Sequence, residues 1–232
     1  MRGLYAILDV AALERARLDV SAVAEVILEA KPACLQLRAK ELAPRATLKL
    51  LREIGALARR SGTPLFANDR PDLALLAECD GVHVGQDDLA PADVRAIAAS
   101  SSRDLRVGLS THNENQVRAA LEMPIDYLAI GPVFSTTNKS NPELALGLDA
   151  VRALASLARA ARPELPIVAI GGMNRSRALE LAGCVDMVAV IGALLPNEPM
   201  SGKAALDSIR KRANEMGFTL MPGAVADRGP TR

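Results

Sequence analysis

Aromatic residues are scarce in this chain. Its 232 residues include two Tyr, three Phe and no Trp. Proteins that hold single-stranded nucleic acid stack the bases on aromatic side chains, and this sequence has too few for such a surface. The formal net charge of +1 also argues against a general polyanion-binding surface, although it allows a local basic pocket. The sequence therefore predicts no nucleic-acid partner.

Long apolar segments and cysteines are also few. No apolar stretch reaches the ~20 residues that a bilayer-spanning helix needs, and the first residues lack the apolar segment and cleavage site of a secretory signal. The three cysteines, Cys34, Cys79 and Cys184, are odd in number and form no CxxC motif. This pattern predicts buried, reduced thiols. We expect a cytoplasmic protein with no membrane partner.

What the sequence has is a repeated alternation of two kinds of segment. Short runs rich in Val, Ile and Leu lie at 4–8, 34–37, 65–67, 81–84, 106–109, 127–130, 167–170 and 187–191. Longer segments of helical period lie at 20–30, 46–60, 71–77, 91–99, 113–121, 148–161, 176–182 and 202–215. Continuous apolar strands are typical of a parallel sheet that is covered on both faces. The sequence therefore predicts eight strand–helix units.

Eight such units in a chain of this length favour a single-domain α/β protein, a (β/α)8 TIM barrel. An open doubly wound sheet is the alternative. Helix starts support the units, because Pro71 and Pro91 suit a first helical turn and Asn113 or Ser176 suits a cap. We expect the barrel to occupy residues 1–217. Residues 218–232 contain Gly and Pro without periodicity, which predicts a disordered tail.

Polar residues at the carboxyl ends of the strands are the informative ones, because barrel enzymes perform their chemistry there. Gln36, Arg38 and Lys40 follow the second run and share one side of an extended segment. A guanidinium forks onto phosphate oxygens and an ammonium adds a point charge. These three residues predict an anion site.

Carboxylates follow the next two runs. Asn68 and Asp69 come after the third run, and Asp87 and Asp88 come after the fourth. Carboxylates on neighbouring strand ends can share one Mg²⁺, which takes oxygen ligands and keeps waters for substrate phosphates. We therefore predict Asp69 and Asp88 as Mg²⁺ ligands, with Asp87 as the alternative to Asp88.

Later strand ends add hydroxyls and glycines. Ser110 ends the fifth run, and the long polar segment 131–147 follows the sixth, as lids or binding loops often do. Gly171–Gly172 and Gly192 follow the last two runs, where barrels frequently hold a phosphate. His83 and His112 are interpreted as structural, with no partner identified, so no general base is assigned.

Taken together, these motifs resemble the thiamine-phosphate synthase (thiamine-phosphate pyrophosphorylase) family. The likeness runs from about residue 4 to about residue 195. The segments that carry it are 36–40, 68–74, 80–89, 108–112, 126–134 and 166–173. The most specific of them contains Gly-Val-His-Val-Gly-Gln-Asp-Asp at 81–88.

The resemblance implies a transferase that needs Mg²⁺ and joins an aminopyrimidine methyl diphosphate to a thiazole phosphate, giving thiamine phosphate and diphosphate. It implies catalytic roles for Arg38, Lys40, Ser110 and Lys139. Substrate contacts are implied for these four and for Gln36, Leu37, Ala39, Asn68, Thr136, Thr137, Asn138, Gly172, Ile191 and Gly192. Its small-molecule substrates would be its partners, and the chain would be a monomer or a small homo-oligomer.

The sequence departs from the family pattern at two positions. Asn138 stands where the family usually has Thr, and Gly192 stands where it usually has Ser; both lie on the thiazole-phosphate side. The nearest rival is the related thiazole tautomerase, which typically has His at the position of Pro132. Two further alternatives are a non-catalytic sensor of a phosphorylated ligand and an unrelated phosphosugar isomerase barrel.

Overall fold

Eight parallel strands pair in sequence order and close into a barrel in the computed structural model, which describes residues 1–135 and 144–219. The strands are β1 (Gly3–Asp9), β2 (Cys34–Arg38), β3 (Leu65–Asn68), β4 (Gly81–Val84), β5 (Arg106–Thr111), β6 (Tyr127–Ile130), β7 (Ile167–Ile170) and β8 (Met187–Val190). The first strand pairs with both β2 and β8. The predicted TIM barrel is confirmed, and the open sheet is wrong.

Nine helices are seen in the described part of the chain. They are α1 (Val10–Arg15), α2 (Val20–Glu29), α3 (Pro44–Ser61), α4 (Pro71–Leu76), α5 (Pro91–Ser100), α6 (Glu114–Leu121), α7 (Gly147–Ala161), α8 (Arg175–Glu180) and α9 (Gly202–Thr219). Pro71 and Pro91 begin their helices as predicted. The sequence did not predict α1 or the short 3-10 helix Gly192–Leu194, because neither is long enough to show a helical period.

Side-chain caps begin four of the described helices, α1, α2, α6 and α8. Asn113 caps α6 and accepts a hydrogen bond from the Gln116 amide at 3.0 Å. At α8 the cap is Asn174, whose carbonyl oxygen accepts from the Arg177 amide at 3.0 Å. Ser176 is not the cap, because its hydroxyl donates to Asn174 instead.

Successive residues of each strand point alternately outward, to the layer between the strands and the helices, and inward, to the barrel interior. Outward-facing residues such as Leu35 and Leu37 pack against the helices, whereas Tyr5, Phe66 and Tyr127 fill the barrel interior. The period of two therefore sends the alternate residues of β2 inward and up to the mouth of the barrel. This alternation is what positions the polar site residues.

Aspartates brace the opposite, amino-terminal end of the barrel. Asp80, Asp126 and Asp186 each stand one residue before an even-numbered strand. Their carboxylates accept hydrogen bonds from the first amide or second amide of the preceding strand: Leu65 at 2.8 Å, Val107 at 2.6 Å and Ile167 at 2.9 Å. Each brace satisfies a backbone donor that begins a buried strand. This end of the barrel serves stability.

Replacing Asp186 with Ala is expected to lower the free energy of unfolding by about 2 kcal/mol, because the Ile167 amide and the Arg159 guanidinium both lose their acceptor. For a chain of this size, Tm should fall by roughly 5 °C, which thermal unfolding followed by circular dichroism would measure. Asp149→Ala is the matched control, because that carboxylate pairs with Arg152 but its side chain is 99% exposed. Equal losses in the two variants would contradict the brace.

Two of the three cysteines are buried and one is partly exposed. Burial raises the pKa of Cys34 well above its usual range and that of Cys79 to about 12. Both therefore remain protonated at neutral pH. All three thiols are free, as predicted.

The last helix, α9, includes residues 218 and 219, which the sequence assigned to the tail. Residues 220–232 lie outside the described residues, so the predicted disorder of the tail stays a prediction there. Within residues 1–135 and 144–219, no helix combines the length and the apolar character required to cross a membrane.

Candidate active site

A cavity of about 1170 Å³ opens at the carboxyl ends of the strands. Ten of the predicted site residues line it: Gln36, Arg38, Lys40, Asn68, Asp69, Asp88, Ser110, Gly172, Ile191 and Gly192. Leu37 and Ala39 instead pack against the core between strands and helices, so a ligand contact from either would come from its backbone. Thr136, Thr137, Asn138 and Lys139 lie outside the described residues.

Two carboxylates meet at the ends of adjacent strands. Asp88 is half-buried, and its carboxyl interacts directly with that of Asp69. Burial raises the pKa of Asp88, and the negative charge of Asp69 raises it further. The Gly85 amide, 2.7 Å away, and Lys40 oppose this shift. Asp87 also lines the cavity but is exposed.

Backbone geometry directs Asp69 into this position. Its φ of 61° is left-handed, a conformation that Asp tolerates better than most residues because its short side chain bonds locally. The Asp69 amide donates to the His83 carbonyl at 2.8 Å, which ties the end of β3 to β4. The two carboxylates are therefore held together by the sheet.

The donor set fits a divalent cation shared with a substrate. Mg²⁺ prefers oxygen ligands and is usually bound by one or two carboxylates together with waters and substrate phosphates. Asp69 and Asp88 supply two such carboxylates, and a cation would relieve their repulsion. Among residues 1–135 and 144–219, no three His, Cys, Asp or Glu side chains are grouped to hold a metal by themselves.

Two cationic side chains line the same cavity. Lys40 Nζ lies 2.9 Å from Asp69 Oδ2. Arg38 donates to the Asp9 carboxylate, which is buried and also accepts from the Ala12 amide at 2.9 Å. Asp9 thus fixes the guanidinium at the mouth and caps α1. Asp9 directly follows the first apolar run, and this strand-end position is the signal by which the sequence could have identified it.

Both histidines have hydrogen-bond partners, which the sequence could not identify. His83 bonds the Tyr127 hydroxyl through Nδ1 and the Ser110 hydroxyl through Nε2, each at 2.8 Å. His112 Nδ1 bonds the Gly131 carbonyl. Gln86, another lining residue that the sequence missed, donates to the Ser110 carbonyl at 2.6 Å. These contacts join residues that are far apart in the sequence, so no local motif predicts them.

Glycines shape the opposite side of the cavity. Gly171 and Gly172 have φ values of 98° and 63°, which side chains disfavour. A Cβ on Gly172 would lie 2.8 Å from Phe134 Cβ, so the glycine lets the segment after β6 pack on the turn after β7. Arg177 covers the Phe134 ring at 3.9 Å. Gly171, Gly172 and Gly192 all line this side of the cavity.

The fold is that of a (β/α)8-barrel enzyme, and the candidate active site is the cavity at the carboxyl ends of its strands. A family model described as thiamine monophosphate synthase matches residues 4–194. The chain belongs to this family, and the predicted transferase is confirmed at that level.

Curated relatives agree with the match. The thiamine-phosphate synthase of Chloroflexus aurantiacus is 36% identical over 203 residues, covering 87% of this chain and 88% of the relative. That of Thermus thermophilus is 43% identical over 175 residues, covering 74% and 80%. Among solved structures, the thiamine phosphate pyrophosphorylase of Pyrococcus furiosus superposes with a TM-score of 0.75 at 28% identity, covering 94% of each chain.

Proposed function

We propose that this protein joins an aminopyrimidine methyl diphosphate to a thiazole phosphate, releasing thiamine phosphate and diphosphate. The observation that carries the proposal is one cavity in which Asp69 and Asp88 meet and Lys40 pairs with Asp69. Arg38 lines the same cavity. Paired carboxylates alone would repel a diphosphate. With a divalent cation between them and cations around them, the same residues attract it.

The implied cofactor is Mg²⁺, which Asp69 and Asp88 would hold. When bound, it supplies charge neutralisation to the diphosphate leaving group. Lys40 is paired with Asp69 without it, and its ammonium would turn to the diphosphate once the carboxylate has another partner. Arg38 stays fixed by Asp9 and offers its remaining guanidinium hydrogens to phosphate oxygens.

The chemistry suits a site with cations and no assigned base. The bond between the pyrimidine methyl carbon and the diphosphate oxygen breaks, and its electron pair leaves with the diphosphate. The thiazole nitrogen then gives its lone pair to the resonance-stabilised cation and forms the new carbon–nitrogen bond. No proton is transferred, so the chain's work is to neutralise the leaving charge and align two reactants.

The second substrate is assigned to the other side of the cavity. Gly172, Ile191 and Gly192 line it there, and backbone amides exposed by glycine suit a phosphate. Gly192 brings no hydroxyl, so its contribution is its amide. The roles of Thr136, Thr137, Asn138 and Lys139 belong to the proposal and are those that the family resemblance implies.

Incubation of the pure protein with both substrates and Mg²⁺ tests the proposal. We expect thiamine phosphate and diphosphate to form in equal amounts. Isomerisation of the thiazole without diphosphate release would favour the tautomerase, although Pro132 offers no proton-transferring group at the position where that enzyme has His. Tight binding of either substrate without turnover would favour a sensor. Either outcome overturns the synthase.

A further inference from the structure

Five polar side chains form a continuous hydrogen-bonded series inside the barrel. This series, which we name the inner chain, consists of Gln36, Tyr5, Tyr127, His83 and Ser110. Its two ends line the cavity, whereas both tyrosines are wholly buried. Barrel interiors are usually filled by branched aliphatic residues, so an interior series of hydroxyls, amide and imidazole invites a functional explanation.

Packing makes the inner chain possible. The Tyr127 ring packs directly against the backbone of β5 at Gly108, because a Cβ at residue 108 would lie 1.9 Å from Tyr127 Cζ. The Tyr127 ring then stacks on His83, with centroids 5.6 Å apart and an interplanar angle of 17°. Tyr5 meets Tyr127 edge to face at 5.9 Å. These contacts hold the polar atoms at hydrogen-bonding distance in a water-poor interior.

The direction of the hydrogen bonds follows from counting hydrogens. The Gln36 amide nitrogen donates to the Tyr5 hydroxyl at 2.6 Å. A phenol carries a single hydrogen, and burial raises the pKa of both tyrosines well above the usual range, so both keep it. Tyr5 therefore passes its hydrogen to Tyr127, 2.8 Å away. Tyr127 in turn passes its hydrogen to His83 Nδ1 at 2.8 Å.

With His83 neutral, the direction at the far end of the series follows. A neutral imidazole that accepts at Nδ1 carries its hydrogen on Nε2, and Nε2 donates to the Ser110 oxygen at 2.8 Å. We infer that the inner chain runs in one direction and thereby commits the Ser110 hydroxyl hydrogen to a ligand in the cavity. His83 and Tyr127 are positioning residues in this scheme. The identity of that ligand, an anion such as diphosphate, rests on the proposed function.

The imidazole hydrogen can be located directly. The chain has two histidines, so nitrogen-15 spectra of histidine-labelled protein contain two rings, and the spectrum of His83→Gln identifies which belongs to His83. We expect His83 in wild-type protein to carry its hydrogen on Nε2, and Tyr127→Phe to give a mixture of tautomers. A hydrogen on Nδ1 in wild-type protein would reverse the direction and overturn the inference.

A double-mutant cycle tests whether the effect reaches the cavity. The probe is inorganic diphosphate with Mg²⁺, measured by calorimetry. Tyr127→Phe should weaken its binding by about twofold, because an even mixture leaves the competent tautomer in about half of the molecules, but should have no further effect in Ser110→Ala. Equal losses in both backgrounds would mean general damage and would overturn the inference.

Two comparisons complete the design. His83→Gln keeps an amide nitrogen near the position of Nε2, so it should bind diphosphate better than His83→Asn, which does not reach Ser110; the opposite order contradicts the inference. Thr111→Val is the matched control, since this neighbouring hydroxyl is buried, bonds the Ala129 carbonyl at 3.0 Å and does not line the cavity. If wild-type protein binds no diphosphate, the proposed function fails. The tautomer of His83 still tests the direction of the hydrogen bonds in the inner chain.

Discussion

Asp88→Asn is expected to lose at least about a hundredfold in Mg²⁺-dependent turnover while its metal-free form stays as stable as wild-type protein or becomes slightly more stable. The loss follows from the proposed role, because charge neutralisation by a metal is worth several kcal/mol and 1.36 kcal/mol is tenfold in rate. The stability follows from the pKa of Asp88, which burial and Asp69 raise in the folded protein.

A raised pKa means that the folded state binds the proton more tightly than the unfolded state does. The ionised carboxylate therefore costs stability above this pKa, and the cost disappears as the pH falls through it. Asn imitates the protonated form at neutral pH and still accepts from the Gly85 amide, which lies 2.7 Å from the wild-type carboxylate.

The measurements are diphosphate release against Mg²⁺ concentration, and Tm with and without Mg²⁺. Wild-type protein should gain Tm on adding Mg²⁺ with diphosphate, because a ligand that binds the folded state stabilises it, and Asp88→Asn should not. Asp87→Asn is the matched control, being the exposed neighbour. If that variant lost the Mg²⁺ response instead, Asp87 would replace Asp88 as the ligand.

The sequence predicted the parts of the site that depend on strand order alone. Arg38 and Lys40 converge with Asp69 and Asp88 because carboxyl ends of neighbouring parallel strands share one rim. Lys40 indeed reaches Asp69 at 2.9 Å. The alternation along β2 likewise predicts that Leu37 faces the helices, as it does. Its assignment to the substrate came from the family resemblance and not from the strand pattern.

The missed contacts depend on the register and closure of the barrel. Tyr5 and Tyr127 are 122 residues apart and touch across the interior. This contact requires the closed barrel and the space that Gly108 leaves by having no side chain. Asp9 reaches Arg38 because β1 and β2 align these two residues as register partners. A pattern read along the chain gives the strands, but the pairing offset between strands is a tertiary property. Interior networks and the partners of catalytic cations therefore appear only with the structure.

The Asp9–Arg38 pair gives the second large expected effect. Arg38→Ala should reduce turnover by about a hundredfold or more, since the guanidinium is proposed to hold the departing diphosphate. It should also lower the free energy of unfolding by about 3 kcal/mol, because Asp9, 3% exposed, is left as a buried carboxylate without its cation. One substitution thus damages two properties with different physical causes.

A second substitution, added to the first, should separate the loss of stability from the loss of turnover. In Asp9→Asn/Arg38→Ala the buried charge is gone, and Asn can still accept from the Ala12 amide and cap α1. We expect most of the stability to return, measured by urea unfolding, while turnover with both substrates stays low. Asp9→Asn alone should keep the fold and lose less activity, because Arg38 remains but is held less firmly. If the double variant regained turnover along with stability, Arg38 would be a structural residue and the diphosphate would have to be held by the remaining cations.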